Sequence, residues 1–140
     1  MSYTGKEAFD EIRNLQSEIK KIVDKFGYDG EDIIYDHSPD NNMYTDECRI
    51  MLNKMDDVVR NIRYLEKPIR DEGILRHNSD GRYEFESGTY FTSGDSIEIL
   101  EDEGDYSRWN ATRIEHNGED YYAVSLGKDI SINGKRARCR

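Results

Sequence analysis

Between Thr4 and Gly27 the apolar residues Ala8, Ile12, Leu15, Ile19, Ile22 and Phe26 recur in alternating steps of four and three. That is the seam of a helix packed along its length on another helix. Thr4 and Glu7 have the spacing of a capping box, and Gly27 suits the left-handed residue that follows a helix, so the pattern predicts a helix over about Gly5 to Phe26. After a turn at Ser38 to Asn42 and a Thr45 N-cap, the rhythm returns as Cys48, Met51 or Leu52, Met55, Val58 or Val59, Ile62, Leu65 and Ile69, with Pro68 disturbing only the last turn. Two helices of about 20 residues are each about 30 Å long. An antiparallel hairpin, with Ile12, Leu15, Ile19 and Ile22 facing Met55, Val58, Ile62 and Leu65, buries both seams. A homodimer through the same helices is the alternative to a monomer.

After Gly73 the hydrophobic period shortens to two, and turn dipeptides arrive as Asp80-Gly81, Ser93-Gly94, Asn117-Gly118 and Asn133-Gly134. Strands are expected at Ile74 to His77, Arg82 to Glu86, Ser96 to Leu100, Arg108 to Glu115 and Tyr121 to Leu126, with a closing pair around Ile130 to Ile132 and Lys135 to Cys139. So many short strands in so few residues fit a small SH3-like barrel better than a sandwich. The expected fold class is α+β: an N-terminal antiparallel helical hairpin over residues 1–72, then a small SH3-like antiparallel β-barrel over 73–140. Trp109 is expected to be buried and to anchor the barrel.

Composition sharpens the functional side. The 140 residues are 35% hydrophobic and 36% charged, a globular rather than a disordered balance. No run approaches the roughly 18 apolar residues of a membrane span, and the opening MSYTGKEAFDE lacks the layout of a signal peptide. A soluble protein in the cytoplasm, with no membrane partner, is therefore expected. Cys48 and Cys139 stand far apart with no metal-ligand spacing, so neither a disulfide framework nor zinc is indicated. Cys139, between Arg138 and Arg140, reads as the more reactive thiol.

The net charge of −10 is unevenly spread. Tyr28 to Glu47 contains Asp29, Glu31, Asp32, Asp36, Asp40, Asp46 and Glu47 with no Lys or Arg, and Asp95 to Asp105 contains Asp95, Glu98, Glu101, Asp102, Glu103 and Asp105. The basic run KRARCR lies at 135–140. A negative field repels nucleic-acid phosphates, so direct nucleic-acid binding is not expected. A protein with a basic, nucleic-acid-binding surface is the expected partner, with acidic side chains occupying the place of phosphates. The candidate contacts are Asp29, Glu31, Asp32, Asp36 and Asp40 in one segment and Glu101, Asp102, Glu103 and Asp105 in the other. Aromatics interleaved with polar residues, as in GRYEFESGTYF, add Tyr90 and Phe91 as contact candidates.

Asp36, Ser38, Asp40, Asn42, Tyr44 and Glu47 fall at the ligand spacing of an EF-hand loop, but Asn41 replaces the glycine and Pro39 sits inside it, so no metal is expected. His37, His77 and His116 accompany no recognised nucleophile motif, and no cofactor pattern occurs. No enzymatic activity is expected; a hydrolase assembled from distant residues is the least favoured reading.

The β half, with GILRHNSDGRYEF, TSGDSIEIL, Trp109, TRIEHNGEDYYAV and the closing ING-KRARCR, resembles a family of small uncharacterised proteins of Gram-positive bacteria, their phages and mobile elements, catalogued as a domain of unknown function. The resemblance covers about Gly73 to Arg140 and speaks to fold. It implies a mobile-element setting in a bacterial host, where small acidic proteins include anti-CRISPR inhibitors that imitate DNA. The expected function is therefore a non-enzymatic acidic inhibitor of a nucleic-acid-binding enzyme such as a CRISPR nuclease. The alternative is an accessory protein–protein or nucleic-acid interaction module, with an assembly hairpin and a ligand-binding barrel.

Overall fold

The computed structural model describes all residues from Met1 to Arg140. They form two compact units, Met1–Lys67 and Pro68–Arg140.

The first unit is helical. Helix α1 (Gly5–Ile12) opens on the capping box: Thr4 Oγ1 accepts from the Glu7 amide at 3.1 Å, and the Glu7 carboxylate accepts from the Thr4 amide at 2.7 Å. A 3-10 turn over Arg13–Leu15 then separates it from helix α2 (Gln16–Phe26). Gly27 ends α2 at φ 90°, a backbone conformation that favours glycine. Helix α3 (Pro39–Glu66) is one continuous rod. It begins well before Thr45 because Ser38 caps it, accepting from the Asn41 amide at 3.2 Å, and Pro39 occupies the first turn, where its missing N–H costs nothing. Lys67, forced out of helical dihedrals by the following Pro68, ends it.

A matched hairpin of two equal helices is therefore not found; one long helix carries a second, segmented arm. The two run in opposite directions, since Arg13 pairs with Glu66 at 2.8 Å while Phe26 and Cys48 border one groove. The buried side chains are those of Val23, Thr45, Leu52, Val59 and Ile62. Of the two possible series on α3, Leu52 and Val59 face inward, whereas Leu15 and Ile22 of the expected seam stay exposed.

The second unit is built of antiparallel strands: β1 (Asp71–Ile74), β2 (Arg76–His77), β3 (Tyr83–Glu84), β4 (Tyr90–Phe91), β5 (Ser96–Glu103), β6 (Tyr106–His116), β7 (Tyr121–Ala123) and β8 (Arg136–Cys139). They form a five-stranded sheet in the order β1-β8-β5-β6-β7 and a three-stranded sheet in the order β2-β3-β4. No barrel closes, because β1 and β7 remain edges and the strands of the smaller sheet are too short to bridge them. Leu75, Tyr83, Phe85, Phe91, Ile97, Ile99, Ile114, Ile132 and Cys139 make one core with residues from both sheets. Gly73 admits this packing, since a Cβ there would come within 3.1 Å of the Phe85 ring.

Two expectations about the second unit fail. Trp109 is half-buried and outside the core: by the two-residue period of the sheet it shares the opposite face with Leu100, Glu98 and Arg138, whose guanidinium lies 4.2 Å from its ring. Cys139 is buried, and burial first, then the Asp71 carboxylate, push its thiol above the usual range, outweighing Arg70. The flanking arginines do not activate it because both are engaged by Glu98.

Candidate functional site

The acidic segment between α2 and α3 spends most of its carboxylates on its own folding. Asp36 accepts from the Ser38 amide at 2.7 Å and from Asn41 Nδ2 at 3.0 Å, and Asn42 exchanges hydrogen bonds with the Asp36 backbone. These bonds hold the Asp36 carboxyl below its ordinary value, Asn41 contributing most. Asp29 and Glu31 share a hydrogen bond that raises the first and lowers the second. Asp46 accepts from the Tyr35 hydroxyl at 2.6 Å. Asp32 and Asp40 are the expected contacts that remain exposed with no such duty. The EF-like spacing runs through α3 from Pro39 onward, so its alternate positions do not line a loop.

The second acidic segment is the end of a two-stranded arm. β5 and β6 pair from Ser96 opposite Arg113 out to Glu103 opposite Tyr106, and residues 102–108 are all exposed. Glu101 is fixed there, accepting from Arg108 Nε at 3.0 Å and Asn110 Nδ2 at 2.8 Å, and these bonds lower its carboxyl. Asp102, Glu103 and Asp105 stand at the tip with no ion pair within 4 Å. Tyr90 faces solvent under the Arg82 guanidinium. Phe91 does not: it is 3% exposed, edge-on to Phe85 in the core, and presents no surface to a partner.

Three groupings escape sequence reasoning because their members lie far apart in the chain. His77 stacks on Tyr83, with ring centroids 4.1 Å apart, and both reach Asp120, at 3.0 Å and 2.8 Å. Partial burial presses the Asp120 carboxyl upward, but hydrogen bonds from His77, Tyr83 and the Tyr121 amide leave it lowered overall. Glu98, buried, is clamped between Arg138 and Arg140, each at 2.5 Å. Asp71 accepts from Ser87 and Thr89 at 2.5 Å and 2.6 Å beside an open groove of about 820 Å³ lined by Glu72, Arg76, Glu84, Phe85 and Arg136. In each of the two hydroxyl clusters the carboxylate is the acceptor: Tyr83 donates to Asp120, and Ser87 and Thr89 donate to Asp71. No helix is long and apolar enough to cross a membrane.

The strands from Gly73 to Cys139 decide the comparison with known families. Residues 73–139 match the model of a domain of unknown function, DUF5348. The resemblance over the β half holds to that extent, and the DUF5348 domain coincides with the strand-rich unit from Gly73 of β1 to Cys139 of β8. The helices lie outside the match. No curated protein and no solved structure matches the chain. The DUF5348 domain thus contains the acidic arm, the Asp120 cluster and the clamped Glu98.

Proposed function

We propose that this protein is a non-enzymatic binding protein whose acidic β5–β6 tip docks on the basic, nucleic-acid-binding surface of an enzyme, as an inhibitor borne by a phage or mobile element acts on a defence nuclease of the CRISPR kind. The observation that carries the reading is the tip itself: three exposed carboxylates, Asp102, Glu103 and Asp105, held on a paired arm with no ion pair within 4 Å. Charge so placed speeds encounter with a basic surface. The basic run at 135–140 supports a protein rather than a nucleic-acid partner, because Arg136 is paired with Glu72 at 2.8 Å and Arg138 and Arg140 with Glu98. The test is capture of partners from a bacterial host lysate by the full chain and by an Asp102→Lys/Glu103→Lys/Asp105→Lys variant. A basic nucleic-acid-binding enzyme, held at low salt and released at high salt, displaced by added DNA and absent with the variant, supports the reading. Equal capture by both proteins overturns it.

The groove beside Asp71 favours the second reading, an interaction module that takes a ligand. Its Arg76 and Arg136 face Glu72, Glu84 and Phe85, a mixed lining suited to a peptide. Capture that survives the tip substitutions and fails with Arg76→Glu identifies that module instead.

A further inference from the structure

We propose that the helical unit is a dimerisation surface, and that a second copy of this chain lays its own α2 and α3 over the groove between these helices to complete a four-helix bundle. The inference concerns the other unit and stands whatever the acidic arm binds. It starts from an excess of apolar side chains. On α3, Thr45, Leu52 and Val59, spaced by seven, are buried. Beside them runs a second series with the same spacing, Tyr44, Met51 and Val58, of which Tyr44 is 70% and Met51 48% exposed. The other arm is similar at its end: Val23 of α2 is buried, while its neighbour Ile22 and, seven residues before that, Leu15 at the end of the 3-10 turn are 42% and 55% exposed. A helix with one neighbour needs one apolar series; a second adjacent series belongs to a helix with a second neighbour.

Because α2 and α3 run in opposite directions, the two uncovered series fall on the same side of the pair. There Ile22 and Met51, one from each, border a groove of about 270 Å³ walled also by Phe26, Ile33, Cys48 and Met55, with no charged side chain in its lining.

The rim of the groove selects the occupant. Glu18 and Lys25 border the uncovered series of α2, and Glu47 and Lys54 border that of α3; all four are exposed. In both helices the acid precedes the base by seven residues. A helix with this same order, laid antiparallel, sets Glu against Lys at both places, so the rim is complementary to itself under a two-fold axis. Size makes the association concentration-dependent: α2, with 11 residues, is about 16 Å long, so the face it shares with α3, about 20 Å across, is on the order of 300 Å² per partner, at the low end of specific interfaces.

Sedimentation equilibrium of the full chain over about 1–100 μM is the test. The expected mass is twice 16.4 kDa in the upper range. Ile22→Glu/Met51→Glu should return it to 16.4 kDa with an unchanged helical circular dichroism signal. Lys25→Glu/Lys54→Glu should weaken association about tenfold, and adding Glu18→Lys/Glu47→Lys should restore it. A wild-type chain that stays at 16.4 kDa throughout overturns the proposal, including one that instead captures an unrelated protein on this groove. So does a dimer indifferent to the rim reversals, a readout that stands even if the Glu substitutions within the groove disturb folding.

Discussion

Arg138 Nε donates to Glu98 Oε1 at 2.5 Å, joining the third strand positions of β8 and β5 across a register in which the two residues are direct partners. Arg140 takes the other oxygen of the same carboxylate, so one buried acid holds two guanidinium groups. Removing it leaves two positive charges against one another. Glu98→Ala should therefore lower stability by about 3–5 kcal/mol, read as a fall in the urea midpoint. A midpoint within experimental error of wild type shows that the clamp contributes nothing.

Tyr83 makes the alkaline limb of the stability profile distinctive. Burial first, and the Asp120 carboxylate second, push its hydroxyl up to about 12. The folded state thus keeps a proton that the unfolded chain releases near pH 10. The resulting stabilisation is complete below pH 10 and is lost as pH rises toward 12. Its size is about 2–3 kcal/mol. Tyr83→Phe has no proton to lose, so the difference in urea midpoint between pH 9 and pH 12 should shrink by that contribution. An unchanged difference separates Tyr83 from alkaline unfolding.

Leu52 and Ile50 test the register of α3. Leu52→Ala empties a buried site and should cost about 2–5 kcal/mol, whereas Ile50→Ala, on the exposed side, should cost less than about 1 kcal/mol. Thermal unfolding of the two variants checks the order. Equal losses place the helix in the other register.

Cys139 should resist Ellman's reagent until the strand-rich unit opens, because it is buried and its thiol is raised. Reaction of Cys48→Ser at a rate set by added urea is the expected behaviour. Rapid reaction in buffer alone contradicts the placement of β8.

Local signals were legible and relational ones were not. The Thr4 and Glu7 box and the tip carboxylates Asp102, Glu103 and Asp105 are written in neighbouring residues. Ser38-Pro39-Asp40 reads equally as a turn or as cap and first turn, and only the continuous helix distinguishes them. Met51 beside Leu52, and Val58 beside Val59, give two seams of equal hydrophobicity, so choosing the buried one requires knowing where α2 lies. β4 is two residues long, too short for any periodicity. His77 lies 43 and Tyr83 37 residues from Asp120, and no spacing rule links them. Barrel closure likewise depends on which edges meet, which period-two patterning does not encode.

β8 is the sole sheet neighbour of β1, and Arg136 pairs with Glu72 across 64 residues of chain. During synthesis at about 5–20 residues per second, β1 therefore emerges roughly 3–13 s before its partner exists. For that interval the nascent chain carries an open edge that another ribosome's product could extend. Asp71 and Glu72 meet the hazard with charge, since two adjacent acids on a short strand repel a like copy until β8 arrives to cover them.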